Sequence, residues 1–274
     1  MLSAGIAIPL LSLLIYRGSE RIFFIIIVIT AGLALYEFFK MSFSADRRFM
    51  KALSLCFGLV TLAAINYYQD YLTFDYTGEI LFLAPASYAV IVVTIYIFCL
   101  KQLIDYPKNS ILRTDLLVLF FGVGYVCLFL SCLIFLRDQR GGVQWIFFVL
   151  FILWLGDSGA YCVGKAIGRR KLLPAISPNK TVEGAVGGLL ASLLAGFACK
   201  AVFLSELAGV HCFFLTLAIA LSGQAGDLCE STFKRLRGVK DSGTFLPGHG
   251  GILDRIDSLL FAAPVAYYYK VLLL

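Results

Sequence analysis

Apolar runs of roughly twenty residues alternate with short polar stretches along the whole chain, each long enough to cross a hydrocarbon layer of about 30 Å as a helix. Reading these runs against the charge clusters predicts nine spans, near residues 2–16, 21–39, 52–68, 80–100, 114–136, 142–164, 182–199, 207–226 and 257–274. The first is the shortest, and a tilted or re-entrant segment is the alternative to a full crossing there. Residues 4–16 imitate the apolar core of a signal peptide. No basic residue precedes them and no small-residue cleavage site follows before Tyr16 and Arg17, so they are read as mature protein. Neither a fixed-period repeat nor a low-complexity linker divides the chain. The expected fold is therefore all-α: one integrated, polytopic transmembrane domain, with packing helices over residues 1–140 and a catalytic region over residues 141–274.

Composition agrees with this pattern. The 274 residues are 60% hydrophobic and 15% charged, with a mean hydropathy of +0.89, well beyond the balance of soluble domains. A net charge of +6 does not point to nucleic acid, because the Lys and Arg residues sit in short loops where they report orientation. Seventeen of the 23 follow spans two, four, six and eight, which predicts those loops and the amino terminus in the cytosol. The loop after span three carries only Asp70, Asp75 and Glu79 as charges. The eight cysteines (56, 99, 127, 132, 162, 199, 212 and 229) show neither zinc nor disulfide spacing and read as small core hydrophobes.

Chemistry concentrates after Trp154. The densest polar segment runs from Ser231 through Lys234, Arg235, Arg237, Lys240 and Asp241 to Pro247-Gly248-His249-Gly250-Gly251, Asp254, Arg255 and Asp257. Its bases can neutralise phosphates, and its glycines let backbone N–H groups approach anionic oxygen, as a nucleoside triphosphate requires. A solvated basic loop that merely fixes topology is the plainer alternative. His249, between glycines, is expected to contact phosphate or orient a carboxylate; His211, beside an apolar run, is assigned to packing or the interface.

Asp227 ends an apolar run and Glu230 follows three positions later on one helix face. Asp254 and Asp257 repeat that spacing at the start of the last span. Carboxylates entering a bilayer are costly unless paired or bound to a cation, and four from two helix ends could share Mg²⁺. Ion pairing with Lys234, Arg235 or Arg255 is the alternative, and Glu230 with Lys234 fits it best.

A second constellation places Asp157, Tyr161 and Lys165 at i, i+4 and i+8, stacked along one helix face, and continues to Ser177-Pro178-Asn179-Lys180-Thr181 and Glu183. Gly156, Gly164, Gly168, Gly184, Gly187 and Gly188 read equally well as close helix packing. Asn179 or Thr181 is expected to cap the following span.

The segment from Ser231 to Asp257 resembles the signature of the phosphatidate cytidylyltransferase family, the CDP-diacylglycerol synthases. Trp154 to Gly184 is similar to that family's second motif region, in the expected order and distance. The resemblance implies a multispanning, homodimeric enzyme of the bacterial cytoplasmic membrane that joins CTP to phosphatidate. It implies Mg²⁺ as cofactor, with a monovalent cation such as K⁺ in some members. Asp227, Asp254 and Asp257 match the metal-associated acids. Lys234, Arg235, Lys240 and Arg255 match the basic signature positions, with Asp241 and His249 beside them as catalytic candidates. Asp157, Tyr161, Ser177, Lys180, Thr181, Glu183, Ser231, Gly248, Gly250 and Gly251 are the substrate-binding candidates. The alternatives are a CTP-dependent lipid-alcohol kinase, which needs a base and releases CDP, and a secondary transporter, against which the absence of inverted-repeat symmetry argues.

Overall fold

The computed structural model describes residues 9, 12–43, 47–74, 115–243 and 250–274. Among these, seven helices are long and apolar enough to cross a membrane. The expected span at 80–100 lies outside the described residues, as does most of 2–16, of which residues 12–17 are helical. In chain order the helices are α1 (Glu20–Ser42) and α2 (Arg48–Phe74), then one continuous rod made of α3 (Asp115–Val123), a π-helical turn (Gly124–Leu128) and α4 (Phe129–Asp138). There follow α5 (Gly142–Ile167), a hairpin of β1 (Lys171–Leu173) and β2 (Ser177–Thr181), α6 (Val182–Phe203), α7 (Gly209–Leu236) and α8 (Leu253–Leu273).

The rod from α3 to α4 is the centre of the bundle, with Tyr125, Val126, Cys127, Phe129 and Leu130 fully buried. Its ring system ties the other helices to it. Tyr125 stacks on Phe121 at 5.7 Å and meets Phe129, Phe233 and Phe261 edge-on. Phe38 of α1 meets the edge of Phe233 at 6.5 Å. The outward faces stay apolar, as at Ile25 and Ile29 of α1 and Leu190 and Leu194 of α6, which suits contact with lipid chains.

Cap chemistry sets several ends. Ser19 accepts a hydrogen bond from the Ile22 N–H and opens α1, with Glu20 in the first turn and Lys40 in the last. Thr181 accepts from the Gly184 N–H at 3.1 Å and opens α6, the capping role anticipated for it. Two helices exceed the apolar runs that announce them. α7 continues past residue 226 to Leu236, so Asp227 lies inside a helix rather than at its end, and α8 begins at Leu253, which puts Asp254 and Asp257 in its opening turns.

Antiparallel α5 and α6 pack through small residues. A Cβ on Gly187 would meet Val163 side-chain atoms at 2.5 Å, and a Cβ on Gly188 would meet the Gly156 carbonyl and the Ala160 methyl at 3.0 Å. The close-packing reading of these glycines is thus the structural one. The hairpin between the two helices pairs Lys171 with Thr181 and Leu173 with Ser177, and is the only sheet among the described residues. Described cysteines 127, 132, 199, 212 and 229 are buried and unbridged, whereas Cys56 and Cys162 are exposed.

Gly187→Leu is expected to wedge α5 from α6 and to destabilise the detergent-solubilised protein by about 1–3 kcal/mol. Thr181→Ala removes one cap and is expected to cost about 1 kcal/mol. Thermal unfolding followed by circular dichroism checks both, and the glycine variant should melt at the lower temperature.

Candidate active site

The two polar constellations, separated in sequence, meet at one end of the bundle. A cleft of about 450 Å³ opens between the hairpin and helices α5, α6 and α7, lined among others by Asp157, Tyr161, Lys165, Asn179, Lys180 and Asp227. That volume suits a small-molecule ligand. Asp157, Tyr161 and Lys165 do share one face of α5, and the Lys165 ammonium lies 5.7 Å from the Tyr161 ring centre.

Lys180 reaches across from the hairpin and pairs with the Asp227 carboxylate on α7, both side chains being about one-third exposed (31% each). Its position depends on the hairpin's anchorage. Glu183, in the first turn of α6, accepts from the backbone N–H groups of Arg169 at 3.0 Å and Arg170 at 3.1 Å, while Val182 N–H donates to the Arg170 carbonyl. Arg235 grips the hairpin from the other side, donating to the carbonyl of Ile176 at 3.0 Å and to that of Val239 at 3.3 Å. Glu183, Thr181 and Arg235 thus hold the backbone that delivers Lys180.

Ser231 donates to Asp227 Oδ1 at 3.5 Å. Asp257, buried in α8, interacts electrostatically with Asp227, Asp157 and Lys180. Among the described residues its one hydrogen bond comes from the Ser258 N–H, at 2.6 Å. Gln224 donates to the Ala185 carbonyl at 3.0 Å, locking α7 to α6 at the cleft wall.

Behind the cleft wall a second network is centred on Lys234. Its ammonium, in a side chain 12% exposed, lies 2.6 Å from Glu230 Oε2 and 2.8 Å from Asp254 Oδ1. Glu230 is fully buried. Asp254 also accepts from Gly251 N–H at 2.8 Å and Ser242 N–H at 3.1 Å. Asp227 and Glu230, expected to act together from one helix face, therefore serve two different networks. Among the described residues, no three of the acidic, histidine or cysteine side chains lie close enough to hold a metal ion together. Asp227 and Asp257 border the cleft, whereas Asp254 is drawn to Lys234.

The remaining candidates are placed as follows. Gly250 adopts φ +81°, a left-handed conformation that favours glycine, beside Asp254. Ser177 opens β2. Lys240, Asp241 and Arg255 are exposed at the same end of the bundle. Gly248 and His249 lie outside the described residues. His211 bonds the Tyr269 hydroxyl at 3.1 Å, far along α7 from Asp227, in keeping with a packing role. Two residues of the site region escaped the sequence reading. Gln224 sits in an apolar run without charge, and Glu37 belongs to a helix assigned to packing alone. The signal for Glu37 was present, as an ionisable side chain inside an apolar span.

Residues 1–273 match the model described as the cytidylyltransferase family. A phosphatidate cytidylyltransferase of Bacillus subtilis (strain 168) is 36% identical over 252 residues, covering 91% of this chain and 89% of that protein. Proteins of the same name align over shorter stretches. The one from Staphylococcus aureus (strain COL) is 46% identical over 159 residues, 58% of this chain and 60% of its own, and that from Staphylococcus saprophyticus is 43% identical over 148 residues, 54% of each. With the match running through both polar constellations and nearly end to end, the chain belongs to the cytidylyltransferase family.

Proposed function

We infer that the protein is a phosphatidate cytidylyltransferase, converting CTP and phosphatidate to CDP-diacylglycerol and diphosphate. The observation that carries this reading is the pairing of Lys180 with Asp227, which joins two distant basic and acidic motifs in one cleft at the end of a transmembrane bundle. Relatives that carry the name, one of them aligned over 91% of the chain, support it.

The attacking group is the phosphomonoester oxygen of phosphatidate, already anionic near neutral pH. It attacks the α-phosphorus of CTP while the bond to the β-phosphate oxygen breaks and diphosphate leaves with that electron pair. No general base is required. The chain's task is to hold two polyanions in line and to neutralise charge growing on the leaving group. Lys165 and Lys180, both lining the cleft, are placed to contact phosphate oxygens. Lys180 would exchange its ion pair with Asp227 for the nucleotide. Lys240 and Arg255, exposed at the same end, are placed to contact phosphates from the solvent side. A helix-end cleft also suits a lipid whose acyl chains stay in the bilayer.

Mg²⁺ fits the donor set. It is commonly bound by one or two carboxylates together with substrate phosphates, and Asp227 and Asp257 offer two at the cleft. Asp257 in particular is a buried carboxylate with one backbone hydrogen bond and no cation in an ion pair with it among the described residues, a charge that a divalent ion would compensate. Asp254 can join them only by giving up Lys234. The ion, when bound, supplies Lewis-acid polarisation and charge neutralisation at the phosphates.

We place the protein in a bacterial cytoplasmic membrane, as a homodimer, with the cleft and the amino terminus facing the cytosol. The distribution of Lys and Arg supports the orientation. Contacts agree on which ends belong together: Arg137 reaches the Gly18 carbonyl at 2.8 Å and Lys270 the Arg140 carbonyl at 2.7 Å, at the end of the bundle opposite the cleft.

The decisive assay incubates purified protein with Mg²⁺, phosphatidate and each nucleoside triphosphate in turn. Diphosphate and a liponucleotide are expected with CTP; release of CDP would instead indicate a lipid kinase, and flux without chemical change a transporter. Asp257→Asn and Asp254→Ala should each lower turnover by at least about 100-fold while the protein still inserts. Normal turnover by Asp257→Asn would refute the metal assignment. Lys180→Met is expected to raise the KM for CTP, by about ten-fold for one charged contact, measured from initial rates of diphosphate release.

A further inference from the structure

One buried carboxylate has no part in the cleft. Glu37, near the end of α1, is only 3% exposed. Its Oε2 accepts from the Ser242 hydroxyl at 3.1 Å and from the Leu253 N–H at 2.9 Å, spanning more than two hundred positions of sequence. No ion pair compensates it among the described residues, and Oε1 accepts no hydrogen bond there.

The backbone on both sides of residues 244–249 closes onto this carboxylate. A Cβ on Gly243 would lie 2.6 Å from Glu37 Cδ, and one on Gly251 would lie 2.7 Å from the same atom. The same two stretches also hold Asp254, through the N–H groups of Ser242 and Gly251, and Asp254 in turn binds Lys234. Two carboxylates, one from α1 and one from α8, therefore clamp the same pair of backbone segments. A packing helix gains nothing from a buried charge without a cation, since an apolar residue of like volume is often as stable or more so. The arrangement makes sense as a device that fixes geometry.

We propose that Glu37 is a positioning residue for cytidylyl transfer. Through Ser242 and the opening of α8 it sets Asp254, and with it Lys234, in register with the cleft. The N-terminal half of the chain thereby contributes to the reaction, though Glu37 touches neither substrate. This rests on the transferase reading above, and the unmodified protein serves as its separate control: if that protein makes no CDP-diacylglycerol, the reading of the reaction fails, whatever the variants do.

The test measures kcat and KM for CTP, with thermal unfolding, on purified full-length Glu37→Gln, Glu37→Ala, Ser242→Ala and the Glu37→Ala/Ser242→Ala double variant. The isosteric Glu37→Gln, which keeps one acceptor but loses the charge, should lower kcat about ten-fold and leave KM within about two-fold, with Glu37→Ala about ten-fold lower again. Ser242→Ala should slow the unmodified protein yet add little to Glu37→Ala, because both act through one contact. Wild-type kcat per folded molecule in Glu37→Gln and Glu37→Ala would overturn the proposal. So would losses that only follow the folded fraction, or effects of Glu37 and Ser242 that simply multiply.

Discussion

The ammonium of Lys234 is the contact on which the arrangement of this end of the molecule depends. It binds Glu230 within its own helix and Asp254 across the gap to α8, so it fixes the angle at which the last two helices meet. In a region this dry, removal of the lysine would leave two carboxylates without their counter-charge, a loss of about 3–5 kcal/mol for a broken buried pair. The dryness has a visible source. Phe38 follows Glu37, Phe233 precedes Lys234, and Phe261 lies one turn beyond Asp257; all three rings join the aromatic cluster around Tyr125. Charge sits on an apolar floor, where electrostatic attraction is stronger than in water and misplacement costs more.

The cleft has a different construction. It depends on how closely α5 and α6 can approach, which the glycines permit, and on a hairpin whose backbone is held by side chains from both flanking regions. Glu183 ties it to α6 and Arg235 ties it to α7. Lys180 is thus a mobile charge on a fixed support. Of the two networks, the cleft is partly open and can exchange partners with a ligand, whereas the Lys234 network is closed and can only transmit position.

The legible parts of the sequence were those where polar residues interrupt an apolar run. Asp157, Lys180, Asp227, Lys234 and Asp254 stand out in this way, and the structure gathers them at one end of the bundle. Helix limits were harder to read. The last ten residues of α7 are amphipathic rather than apolar, so hydropathy alone stopped the helix at 226 although the backbone continues to Leu236. The hairpin was hidden because Ser177-Pro178-Asn179-Lys180-Thr181 carries both a cap and a turn composition, and only pairing with Lys171–Leu173 makes it a strand. Glu37 went unassigned for a third reason. Its partners lie more than two hundred residues away, and nothing in its local sequence announces them.

The π-helical turn at Gly124–Leu128 gives the central rod a property that the other spans lack. Such a turn accommodates one residue more than regular α-helix would, and here it brings Tyr125 into the ring cluster while Cys127 donates to the Gly58 carbonyl on α2. Losing one residue there would restore an unbroken α-helix yet rotate all that follows by about 100°. Leu130, Leu133 and Ile134 would swing out of the core, and Arg137 would lose its reach to Gly18. Loops in this molecule can change length and leave the bundle intact, but through its middle the chain is indexed, residue by residue, to the cluster on which the catalytic end stands.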